Sequence, residues 1–156
     1  MSTKQKSLGE KIGKAIETQS QRQTRSRNQI ANRLSELADQ RADFTVEGLW
    51  HDLQQTNPHL GRATVFRVVD TLVNEGLLNR IEFTDGSHIY RVCGDEHHHH
   101  LACTQCHRVL DINFCIPDEQ FEQVGQQADF IIQGHTLTIF GVCADCQESS
   151  KSIKES

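Results

Sequence analysis

Two Cys-x-x-Cys pairs bracket much of the second half of the chain, Cys103-Thr-Gln-Cys106 and Cys143-Ala-Asp-Cys146, with 36 residues between them. A tight turn presents two thiolates at a spacing that one zinc ion accepts, and two such turns complete a closed tetrahedron. Immediately ahead of the first pair runs His97-His98-His99-His100. In an extended strand alternate side chains point to opposite faces, so His97 and His99 face one way and His98 and His100 the other. One strand then serves two metal sites, which is a chemical reason for four consecutive histidines. Cys93, His107, Asp111, Asp118 and His135 bring further ligand types into the same region, and His88 is one more candidate. A mixed cysteine and histidine set favours zinc or another borderline ion over magnesium, calcium or manganese. Cys115 reads as a buried small hydrophobe or a bystander thiol, and His51 and His59 as surface or loop residues.

Other uses of these residues fit less well. A redox Cys-x-x-Cys belongs in a thioredoxin-like βαβ setting, which is missing here. A disulfide framework needs an exported chain, and the first 23 residues hold no apolar core of the signal-peptide kind. No apolar run approaches the roughly 18 residues that would span a bilayer. The expectation is therefore a cytoplasmic protein with no membrane partner. An HExxH helix, a nucleophile motif and a Gly-rich loop are all missing, so the chain does not read as an enzyme.

The elements that must hold these ligands divide the chain in two. Of its 156 residues, the first 80 carry 12 Lys and Arg against 9 Asp and Glu; the remainder carry 4 against 12. A mildly basic front and an acidic, ligand-rich back suggest two jobs. In the front, Ile12, Ile16, Ile30, Leu34 and Leu37 recur at helical spacing. A third helix follows Thr45 as N-cap, with Val46, Leu49, Trp50 and Leu53 as its buried stripe. A fourth, from Arg62, is closed by Gly76. Two extended runs then flank Asp85-Gly86, a hairpin signal. Helices followed by a hairpin predict a winged helix-turn-helix over residues 1–92. Residues 93–156 alternate instead: extended through 97–103 and 108–114, helical over 117–128, extended again over 134–143. The overall class is α+β, with a back half too small to rest on its own apolar core.

Three stretches together, RATVFRVVDTLVNEGLL, HHHHLACTQC and GHTLTIFGVCADC, resemble the ferric uptake regulator superfamily, most closely its zinc-sensing branch. The resemblance implies a homodimeric, metal-dependent repressor of operator DNA, with an N-terminal winged helix and a C-terminal α/β dimerisation domain. It implies a structural zinc, one per chain, on Cys103, Cys106, Cys143 and Cys146. One or two further ions per chain are expected. The regulatory site falls on Cys93, His98, His100 and a fourth ligand, Asp111 or Asn79; the second site falls on His97, His99, Asp118 and His135. Arg62, Thr64, Phe66 and Arg67 match the DNA-reading helix, with Phe66 where a tyrosine is usual. Cys93 and a loop holding Asp43 in place of a histidine favour zinc sensing. The alternative is an iron or peroxide sensor.

Overall fold

The computed structural model describes residues 3–18, 25–93 and 99–154, with side chains at 8–16, 25–93 and 99–149. The chain divides into two compact units, residues 1–96 and 97–156.

The first unit runs α1 (Thr3–Thr18), α2 (Arg25–Gln40), α3 (Val46–Thr56) and α4 (Arg62–Asn74), then β1 (Leu78–Glu82) and β2 (His88–Val92). Ile12, Ile30, Leu34, Val65, Val69 and Leu72 are each 0% exposed, so the apolar stripes of four helices meet in one core. Local chemistry sets the boundaries. Thr45 caps α3 through its hydroxyl, which accepts the Gly48 N–H at 3.0 Å. Asn57 precedes Pro58 and has left the helical region, as a residue before proline must. Its side-chain amide donates to Ser26 and to Gln29, tying the end of α3 to α2. The Trp50 indole N–H donates to the Leu60 carbonyl at 3.0 Å. That bond fixes the turn into α4, and reaching it leaves Trp50 half-buried where the helical stripe predicted full burial.

Helix α4 ends on a Schellman pair. Leu77 N–H donates to Leu72 O at 2.8 Å and Gly76 N–H to Val73 O at 3.0 Å. Gly76 carries the left-handed φ of 71° that this closure demands. The hairpin follows, antiparallel from Leu78 opposite Val92 to Glu82 opposite His88, with Gly86 at φ 84° in its turn. Phe44 bridges to Tyr90, and the Arg91 guanidinium makes a fork with the Asp43 carboxylate at 2.6 and 3.0 Å. Asp43 is thus the latch between the α2–α3 loop and the wing.

The second unit is β3 (His99–Cys103), β4 (Val109–Ile112), α5 (Asp118–Ala128), β5 (Thr138–Gly141) and α6 (Ala144–Lys154). Its sheet has the order β4-β3-β5, with β3 antiparallel to β4 and parallel to β5. Strands β4 and β5 are shorter than the extended runs that the sequence suggested: β4 stops at Ile112, and a loop through Cys115 leads to Pro117, the N-cap of α5. Asp118 and Glu119 then sit in the first turn of α5, where the helix dipole favours acids. Helix α6 was not anticipated, since its polar sequence has no apolar period. Register places His100 opposite Asp111 and Thr138, and Leu101 opposite Leu110 and Ile139.

Candidate functional site

Four sulfurs meet where the two Cys-x-x-Cys turns converge. Cys103 Sγ lies 3.9 Å from Cys146 Sγ, and Cys106 Sγ lies 3.7 Å from Cys143 Sγ. With zinc–sulfur bonds of about 2.3 Å, tetrahedral angles separate paired sulfurs by about 3.8 Å. The cluster fits the ion. Strand pairing brings the turns together: β3 and β5 run parallel, and Thr104 N–H donates to Gly141 O at 2.8 Å. Arg108 adds an ion pair to Asp145 at 2.8 Å across the same turns. The Cys143 amide donates to Cys103 Sγ at 3.3 Å, and this is the chief reason that the Cys103 thiol is lowered to about 6. Cys146 is pushed up to about 12, first by its hydrogen bond with Cys143. Crowded sulfurs cannot all ionise alone, and a dication relieves that conflict.

A second group forms around the next histidine. His99 Nε2 lies 3.2 Å from His135 Nε2, and His135 Nε2 lies 3.5 Å from Cys115 Sγ. All three ligand atoms fall within 4.8 Å of one another. His99 is buried, and the Phe121 ring of α5 stacks on His135 at 4.2 Å between centroids. Cys115 is exposed and lies beside two imidazoles, so the reading of it as a buried hydrophobe is corrected. It sits in the loop after β4, whose end brings it back toward β3. The sequence marks it only as a cysteine outside the two Cys-x-x-Cys pairs, which does not tell its role. Asp118 heads α5 and is exposed, and among the described residues it belongs to neither ligand group.

His100 points to the opposite face of β3 from His99, where its Nδ1 lies 3.3 Å from Asp111 Oδ1. Asn79, the other candidate for that ligand set, lies in β1 opposite Arg91. Cys93 is buried just beyond β2; its N–H donates to Leu77 O and its thiol to Arg91 O. His97 and His98 lie outside the described residues. His107 takes a left-handed φ of 59° behind the first sulfur turn, and His88 packs edge-on against Tyr90. His51 lies against Trp50.

On α4, Val65, Val68, Val69 and Leu72 turn inward. Arg62 and Arg67 are exposed, and Thr64 and Phe66 are half-buried. The Arg62 guanidinium lies 4.7 Å over the Phe66 ring and pairs with Glu47 of α3. Arginines flanking an aromatic ring on one exposed helix face suit base edges and phosphates in a major groove.

The model of the "Ferric uptake regulator family" matches residues 18–140. The ferric uptake regulation protein of Bordetella parapertussis is 31% identical over 107 residues, which cover 67% of this chain and 76% of that protein. The zinc uptake regulation protein of Mycobacterium tuberculosis is 30% identical over 126 residues, 81% of this chain and 95% of that one. In fold, the chain resembles the Helicobacter pylori ferric uptake regulator with a TM-score of 0.66 at 21% identity, over 92% of this chain and 94% of that one.

Proposed function

The chain belongs to the ferric uptake regulator family of metal-responsive, DNA-binding transcription regulators, and from that premise we propose that it is a zinc-sensing repressor controlling zinc homeostasis genes from the cytoplasm. The observation that carries the choice of metal is the pair Cys93 and Asp43. Cys93 offers a soft thiolate at the end of the wing strand, whereas the loop that would carry an extra hard or imidazole ligand holds Asp43, already engaged by Arg91. The relative named a zinc uptake regulation protein supports the same reading.

We assign the structural zinc to Cys103, Cys106, Cys143 and Cys146, and the regulatory zinc to Cys93, His98, His100 and Asp111. The cross-strand approach of His100 and Asp111 supports the latter set. A second ion is assigned to His99 and His135, the two of the resemblance-derived set His97, His99, Asp118 and His135 whose ring nitrogens meet. Bound zinc supplies a positive charge and a fixed cross-link among its ligands. Cys93 stands at the end of the wing strand, so zinc held through its thiolate would couple metal occupancy to DNA binding. Coupling of this kind is typically worth about 1–3 kcal/mol. Arg62 and Arg67 would then supply base and phosphate contacts, Thr64 a polar contact, and Phe66 an apolar contact to a thymine methyl.

The proposal includes a homodimer. All the large apolar side chains that stand exposed among the described residues belong to the second unit, among them the in-register row Leu110, Leu101 and Ile139 across the sheet. Such a row suits a second copy in a twofold pairing, which also matches two half-sites of an operator. Operator-type DNA binding, followed by anisotropy against buffered free zinc with the tetrathiolate zinc retained, tests the function. Affinity should climb roughly 5–150-fold as zinc rises, and Cys93→Ser should abolish the climb. Restoration of binding by iron(II) alone would make the chain an iron or peroxide sensor.

A further inference from the structure

We propose that Cys115 is a thiolate ligand of the second metal ion, which makes that centre a Cys/His site and gives Cys115 the place that family resemblance assigns to the carboxylate of Asp118. The proposal rests on the reading that the second unit holds an ion beyond the tetrathiolate.

The distances carry it. With zinc–nitrogen bonds of about 2.0–2.1 Å and zinc–sulfur bonds of about 2.3 Å, a tetrahedral ion holds two ring nitrogens about 3.3 Å apart and a nitrogen and sulfur about 3.6 Å apart. The corresponding separations here are 3.2 Å for His99 to His135 and 3.5 Å for His135 to Cys115. Two imidazoles meeting nitrogen to nitrogen in a half-buried place, with a thiol closing the triangle, make a donor set with one ion-sized gap in common. Neither Asp118 nor any other carboxylate among the described residues joins that triangle.

The surroundings hold the ligands in place. His99 sits in β3 and is buried, and Phe121 stacks on the His135 ring. Cys115 lies between β4 and α5, two residues ahead of the Pro117 N-cap, so both flanking elements fix its backbone. A thiolate in the set changes the chemistry. Two imidazoles with a carboxylate accept manganese(II) or iron(II), whereas two imidazoles with a thiolate favour zinc(II) or cobalt(II). The second ion should therefore belong to the same class as the first, and the site should discriminate against harder cations.

Cobalt(II) absorption tests this directly, because only a sulfur ligand gives a near-ultraviolet sulfur-to-cobalt charge-transfer band. The full chain carrying Cys93→Ser, with one zinc per chain confirmed in the tetrathiolate site, is titrated with cobalt(II). The expected result is a charge-transfer band that Cys93→Ser/Cys115→Ser lacks and Cys93→Ser/Asp118→Asn keeps. Loss of Cys115 should weaken cobalt(II) at the second centre by at least about tenfold, since even residues that merely orient a ligand are worth about 10–100-fold. Cobalt(II) bound there without that band, and lost on Asp118→Asn, would overturn the Cys115 assignment and leave the second centre standing. No cobalt(II) at the second centre at all would overturn both. Neither readout depends on DNA binding or on which metal the regulatory site senses.

Discussion

The two units hold themselves together by different means. In the first, sixteen buried apolar side chains, from Ile12 to Tyr90, form one cluster. In the second, the buried residues among those described are His99, His100, Ala102, Cys103, Val109 and Gly125. Half of these are candidate metal ligands, and only Ala102 and Val109 are aliphatic. At the same time Phe130, Ile131 and Leu110 stand 71%, 91% and 52% exposed. A sheet of three short strands and two helices cannot bury enough surface to offset its chain entropy unaided. The lesson is that half of the second unit's small interior is candidate ligands, while its large apolar side chains stand outward.

The largest effect follows from removing that interior. Cys103→Ser, or chelation of the structural ion, takes away binding energy that in small zinc domains reaches about 10–16 kcal/mol. Two-dimensional amide spectra should show the second unit's resonances collapse while the first unit's remain dispersed, with zinc content falling by one ion per chain. Retention of a folded second unit would break the comparison, because apolar packing would then suffice.

The converse experiment removes packing from the first unit. Leu72 is 0% exposed in α4, and Leu72→Ala should destabilise that unit by about 2–5 kcal/mol. Urea unfolding should register this loss equally in zinc-loaded and chelated protein. A zinc-dependent loss would mean that the two units do not draw on separate sources of stability.

That division explains how much could be read from the sequence. Where burial is apolar, its period is written in the residues: Ile30, Leu34 and Leu37 announced α2, and Thr45 and Gly76 marked the ends of α3 and α4. The tetrathiolate was equally legible, because two Cys-x-x-Cys turns need only a strand pairing to meet. Cys115 was not legible, since its role depends on how the loop after β4 folds back toward His135, and no local spacing encodes that. The role of Asp43 was hidden for the same reason, its partner Arg91 lying 48 positions away. Helix α6 carries neither apolar period nor cap signal. Long-range polar contacts escape a reading that works through local period.

The smallest effects sharpen the comparison most, because one chemical change made in each unit should be read out by different instruments. Gly76 holds φ 71°, and Gly76→Ala places a side chain in the left-handed region at about 1–2 kcal/mol. The first unit's unfolding midpoint should drop while affinity for the structural zinc stays unchanged. Gly125 is required for a different reason: a Cβ there would meet the Phe130 carbonyl oxygen at 2.7 Å. Gly125→Ala should therefore strain the second unit by about 1–3 kcal/mol. Where zinc binding and folding are one process, that strain subtracts from the binding free energy, so competition with a chelator should show structural zinc held about 5–150-fold more weakly. Unaltered zinc affinity in Gly125→Ala, alongside a lowered unfolding midpoint, would mean that the second unit is already folded before its ion arrives.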